Sequence, residues 1–195
     1  MRRAREFAVS LPHPWRRARL VLSLIAAVAA LQVLPHSAGL SPIGAMALFA
    51  TASFRSRTAG FAASLGVFAA TGVAVGLISG NWDFAFHRLA PAVYGSWALC
   101  VLLGWWLRDR RSPARIAGAS LAGSLLFFLI TNFAVWLVYD TYSHDAAGLL
   151  ACYVAGLPLL ARGALADLVY AGGLFGALAL AERRAPALRE RPAAA

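Results

Sequence analysis

Lysine is absent from the 195 residues, and only eight side chains carry a carboxylate. Charged residues make up 13% and hydrophobic residues 61%, where soluble domains hold about 25% and about 45–50%. A chain so poor in charge cannot hide its apolar surface inside a soluble sphere, which excludes an ordinary globular domain. Cysteine is scarce too. Cys100 and Cys152 stand far apart with no metal-ligand spacing, so neither a disulfide framework nor a zinc site is available. HExxH, Gly-x-Ser-x-Gly and the Gly-x-x-x-x-Gly-Lys-Ser/Thr phosphate loop are all missing, which leaves the chain without an ATP site of its own. No cofactor is expected. What the chain has is a mean hydropathy of +0.68 and long apolar runs between short arginine clusters, the pattern of membrane-spanning helices.

The net charge is +10 and all 18 basic residues are arginine. They sit in bands at the ends of apolar segments, as residues holding the cytoplasmic side of a bilayer do. A nucleic-acid surface would gather them along one face or in a tail, so no nucleic-acid partner is expected.

Residues 1–19 form a cytoplasmic arginine-rich segment, 20–181 a transmembrane helical domain and 182–195 a cytoplasmic tail. The first apolar run, 20–34, follows its arginines as the core of a signal peptide would. Pro35-His36-Ser37-Ala38 lacks a small residue three before a cut, and apolar sequence resumes at once, so the run reads as an uncleaved span. Residues 43–54 number twelve, where a full span needs about 20; they cross only if extended at their start, or beside other helices that bury their ends. The third span, 58–78, stops at the turn signal Ser79-Gly80-Asn81. The fourth, 91–107, is closed by Arg108-Asp109-Arg110-Arg111; the fifth is 116–138 and the last 165–181. Gly72 and Gly76, Gly118 and Ala122, Ser120 and Ser124, and Gly172 and Gly176 are spaced four apart, as in close helix contacts.

Between the last two spans, residues 148–160 are interrupted by Gly156 and Pro158. Six crossings with both termini inside place 16 arginines on cytoplasmic segments and leave only Arg88 and Arg162 outside. A seventh crossing would export Arg183, Arg184, Arg189 and Arg191, against the positive-inside tendency. The sequence therefore predicts an all-α integral membrane bundle of about six transmembrane helices, with 148–160 as an outward re-entrant segment.

Polar and aromatic residues gather on the outer side. Asn132 lies inside the fifth span, with Trp136 and Tyr139 four and seven residues on, along one helix face. An amide within a span needs a partner from another helix or from a ligand. Asp167 sits in the first turn of the last span, where the helix dipole favours it and Arg162 is near enough to pair; Tyr170 follows on the same side. Tyr153 comes from the re-entrant piece. Asn132, Trp136, Tyr139, Tyr153, Asp167 and Tyr170 are thus expected to line one outward cavity, with aromatic walls and a few oriented polar groups. The plainer account is an interfacial aromatic belt. His36, His87 and His144 with Asp83, Asp140 and Asp145 show no ligand spacing within one element, and no metal site is expected.

Several segments resemble an uncharacterised family of small bacterial six-helix membrane proteins. They are Leu40-Ser41-Pro42-Ile43-Gly44-Ala45-Met46-Ala47-Leu48-Phe49, residues 119–128 continuing through Thr131-Asn132-Phe133-Ala134-Val135-Trp136, Cys152-Tyr153-Val154-Ala155-Gly156-Leu157-Pro158, and Asp167-Leu168-Val169-Tyr170 with Leu174-Phe175-Gly176. The resemblance covers most of residues 35–180. More distantly, the layout is similar to the substrate-binding subunits of energy-coupling-factor vitamin transporters. That similarity implies an outward ligand pocket under the loop between the first two helices. It also implies a partner membrane subunit met through contacts such as Ala26 and Ala30, and a separate ATPase. Cobalt and nickel members carry a His at the second residue of the mature N-terminus; Met1-Arg2-Arg3 departs from this, so metal uptake is not implied.

The expectation is a non-enzymatic substrate-binding or transport-related subunit with a small-molecule ligand. It would lie in a bacterial cytoplasmic (inner) membrane, multi-pass, with both termini cytoplasmic. One rival is a structural or scaffolding membrane protein with no ligand; another is a membrane-embedded enzyme using Asp140, His144 and Asp167.

Overall fold

The computed structural model describes residues 14–31, 43–54, 56–80 and 87–188. Most of the N-terminal segment, the end of the first apolar run, His36, residues 81–83 and the tail from 189 lie outside the described residues. Within them the chain is all-helical. The helices are α1 (Pro14–Leu31), α2 (Ile43–Ser53), α3 (Arg57–Ser79), α4 (Ala90–Leu107), α5 (Pro113–Val138) and α6 (Ala146–Arg184), followed by a 3-10 turn at Pro186–Leu188. Helices α3 to α6 are long and apolar enough to cross a membrane. Their outer faces carry Leu77, Ile78, Leu150, Leu165 and Val169, each 62–70% exposed. So much bare hydrocarbon is tolerated in lipid and not in water.

Helices start where the sequence offers a cap. The Ser56 hydroxyl accepts from the Ala59 N–H at 3.2 Å. Ser112 accepts from the Arg115 N–H at 3.3 Å, with Pro113 in the first helical position. Asp145 caps α6 by accepting from the Gly148 N–H at 2.7 Å. That bond and a second from the Ser143 hydroxyl hold its carboxyl below the usual carboxylate range. Gly80 ends α3 with φ of 67°, a left-handed conformation that a Cβ penalises.

The short helix is the centre of the molecule. At 11 residues, α2 spans about 16 Å, roughly half the hydrocarbon thickness. Residues 45–53 are all buried, with the other five helices packed around them. A segment apolar on every side belongs in such a place. Of the two routes open to it, the structure shows cover by other helices; a longer start would fall outside the described residues. Phe49 meets Phe175 edge to face at 5.1 Å, and Val21, Ile25, Leu107, Leu174 and Leu178 complete the cluster. Gly104 allows α4 to cross α2, because a Cβ there would lie 2.9 Å from the Leu48 carbonyl oxygen and closer still to the Thr51 hydroxyl. Gly104→Ala should therefore cost about 1–3 kcal/mol by overpacking, seen as a lower unfolding midpoint in detergent. An unchanged midpoint would mean that the crossing is loose. By contrast, Gly118, Gly172 and Gly176 have open space beside them, so their spacing serves no contact among the described residues.

Helix α6 corrects the sequence expectation. Residues 148–160 are not a separate re-entrant segment: they are the first half of one 39-residue helix that runs through Gly156 and Pro158. Gly156 is a packing residue, where a Cβ would meet Asn132 Oδ1 at 2.5 Å and the Phe128 ring at 2.9 Å. Pro158 faces outward. Breaking the helix in an apolar setting would strand backbone groups at several kcal/mol each, more than the roughly 3 kcal/mol that one proline costs.

One end of the bundle collects the arginines. Arg17, buried in the first turns of α1, donates through Nε and Nη2 to the Ser53 carbonyl at 3.3 and 3.2 Å. Its Nη1 donates to the Leu188 carbonyl at 3.0 Å and pairs with Glu182. The starts of α3 and α5 and the end of α4 lie at this end too, where Arg57 stands over Trp105 and Arg115 over Trp106.

Candidate functional site

Along α5, Ser124, Phe128 and Asn132 repeat at four-residue steps and so share one face. That face packs antiparallel on α6, with Ser124 level with Asp167 and Asn132 level with Gly156. Trp97 and Cys100 of α4 and Gly44 of α2 close the remaining sides. The four helices enclose a cavity of about 300 Å³, with Phe127, Phe128, Leu159 and Leu160 as apolar walls and Thr131, Asn132 and Asp167 as polar groups. This is the lower end of the size range of small-molecule sites.

Asp167 is the charged member, only 8% exposed. Its Oδ1 accepts from the Ala45 N–H at 3.0 Å and its Oδ2 from the Ser124 hydroxyl at 2.7 Å. Ala45 is in the first turn of α2, so the carboxylate sits on the positive end of the half-length helix. Gly44 permits the approach, since a Cβ there would lie 2.9 Å from Oδ1. At the other end of α2, Arg17 holds the Ser53 carbonyl. A buried anion and a buried cation thus cap the two poles of one central helix. An ionised carboxylate offers about four acceptor positions, of which these bonds occupy two. None of the described residues lining the cavity is a cation.

The six residues singled out in the sequence divide. Asn132 and Asp167 line the common cavity. Asn132 donates from Nδ2 to its own-helix Phe128 carbonyl at 2.9 Å, and its backbone carbonyl accepts from the Cys152 thiol at 3.4 Å. Trp136 is engaged elsewhere: its indole N–H donates to the Ser143 carbonyl at 2.9 Å and its ring meets His144 at 5.7 Å, which fastens the α5–α6 turn. Tyr139 ends α5 in extended backbone. Tyr153 donates its hydroxyl to the Leu129 carbonyl at 2.8 Å and stacks edge-on against Phe128. Tyr170 packs against the core cluster around α2. Arg162, expected as a partner of Asp167, is exposed on α6.

Sequence reasoning missed Gly44, Trp97, Cys100 and Ser124. Ser124 had a signal, being eight residues before Asn132 and so two turns along the same face. Trp97 and Cys100 had none, because the packing of α4 on α5 is not written in either helix's periodicity. No curated protein and no solved structure matches the chain. A family model does match, over residues 13–188, and those residues include every member of the cavity. The chain belongs to DUF6580, a family of unknown function.

Proposed function

We propose that this protein is a substrate-binding or transport-related subunit of a bacterial cytoplasmic membrane, with no catalytic activity of its own. It holds a small molecule in the cavity at Asp167. The observation that carries this reading is a buried carboxylate with unused acceptor positions in an apolar cavity of ligand size. Its preferred ligand offers Asp167 a protonated amine or another strong donor, and presents an apolar or cationic body to Trp97 and Phe128. The distant likeness to energy-coupling-factor substrate-binding subunits supports active uptake with a partner membrane subunit and a separate ATPase. The gathering of arginines at the end where α1 starts and α6 stops supports placing both termini in the cytoplasm. A reporter fused after Ala195 that is active only outside the cytoplasm would refute that orientation.

The test uses the full chain purified in detergent. Mass spectrometry should find a small molecule retained, and thermal unfolding with a panel of small amines should rise for those that bind, by about 2.7 kcal/mol at a hundredfold excess over Kd. Asp167→Asn should abolish that rise while the protein stays folded. The scaffolding alternative rests on a specific observation as well: the Ala45 N–H and Ser124 hydroxyl already explain the carboxylate as a helix cap. On that account no amine shifts the midpoint and no small molecule is retained, while a protein partner copurifies.

A further inference from the structure

We infer that the arginine-rich end of the bundle carries a second site, which binds a net-anionic phosphate group at the membrane surface. It is independent of the cavity at Asp167. A concavity of about 420 Å³ opens there, lined by Arg57, Trp105, Trp106, Asp109, Arg110 and Arg115. Among the described residues that line it, three arginines less one aspartate leave a formal charge of +2. Arg57 opens α3 and Arg115 lies in the first turn of α5, so the positive ends of two helix dipoles converge on the same place.

The guanidiniums are already positioned. Arg115 lies 4.1 Å from the Trp106 ring centroid and Arg57 5.7 Å from that of Trp105. A guanidinium held over an indole face is localised there and keeps N–H groups free to donate. Among the described residues no side-chain hydrogen bond or ion pair occupies Arg57, Arg110 or Arg115. Asp109 shares the concavity without pairing with any of them. Two adjacent tryptophans at the end of an apolar helix mark the headgroup level of a bilayer. A planar fork of donors at that level, with excess positive charge, matches the ionised oxygens of a phosphate. An anionic phospholipid headgroup and soluble phosphate share this chemistry.

The full chain in detergent micelles would be titrated with phosphatidylglycerol, with phosphatidylcholine and with inorganic phosphate. Bound molecules would be counted by native mass spectrometry and stability followed by melting. Phosphatidylglycerol should be retained and raise the midpoint, whereas phosphatidylcholine, its phosphate neutralised by choline, should not. An equal response to inorganic phosphate would support the site and assign its occupant to solution. Arg115→Gln should weaken phosphatidylglycerol binding about tenfold, the worth of one charge-assisted hydrogen bond. Asp109→Asn should tighten it, a gain that misfolding cannot imitate. The site is refuted if phosphatidylglycerol and phosphatidylcholine bind alike and inorganic phosphate has no effect, if Asp109→Asn weakens binding, or if replacing all three arginines by glutamine leaves binding unchanged.

Discussion

Arg17→Ala should lower the unfolding free energy by about 3 kcal/mol, at the low end of the roughly 3–5 kcal/mol for breaking a buried ion pair from one side. The low end applies because Glu182 remains 24% exposed and water shares the burden of its charge. Two further groups lose their donor, the Ser53 carbonyl at the end of α2 and the Leu188 carbonyl beyond α6. The side chain thereby joins three parts of the chain that are distant in sequence. Arg17→Lys should recover only part of the loss, since an ammonium cannot present the same fork to three acceptors. Chemical unfolding in detergent measures both variants. A loss below about 0.5 kcal/mol for Arg17→Ala, the level of an ordinary surface change, would show that the cluster does not hold the helices together.

Asp167→Ala should cost a similar amount, about 3 kcal/mol, for a different reason. It leaves the Ala45 N–H and the Ser124 hydroxyl without their charged acceptor, and such bonds are worth about 1.5–3 kcal/mol each. Part of the loss is recoverable, because Ser124 has one proton and a second acceptor for it, the Ser120 carbonyl at 3.0 Å. The same geometry predicts a mild Asp167→Asn. The amide oxygen still receives the Ala45 N–H, and the amide nitrogen donates to a Ser124 oxygen whose proton has turned to Ser120. A loss of no more than about 1 kcal/mol is expected there. If Asn proved as damaging as Ala, the negative charge itself, and not an acceptor atom, would be what α2 requires.

Helix positions were legible where the chain announces its own boundaries: the turn signal at Gly80 and the charge cluster from Arg108 mark the ends of α3 and α4, which the structure reproduces within a residue or two. The burial of α2 was half legible from its length, since twelve apolar residues enter a bilayer only with a longer start or under the cover of others, and its length does not choose between the two. The continuity of α6 was not. Gly156 and Pro158 are breakers by local rules, and what overrides them is α5 packed against Gly156 and a solvent that offers a broken backbone nothing to bond. For the site, Asn132 stood out because a polar group within a span must find a partner. Asp167 stood out for a reason the structure overturns: the sequence puts it in the first turn of a last span, whereas it lies in the middle of α6 and meets the positive end of α2 instead. The aromatic residues near them misled, because a tyrosine or tryptophan at that depth is equally satisfied by a carbonyl, as Tyr153 is by Leu129 and Trp136 by Ser143.

Helix α2 also constrains the order in which the molecule is made. It is too short to settle across a bilayer unaided, and the carboxylate that caps its start lies 122 residues further along the chain. At about 5–20 residues per second, a ribosome needs roughly 6–24 s to deliver Asp167 after Ala45 has emerged. Throughout that interval the segment lacks its pole-capping anion, and for most of it there is no α6 to lie against. Its final seat is taken only when the last helix enters the membrane, so truncation before α6 should leave α2 exposed to quality-control proteases while α3 and α4 are already inserted.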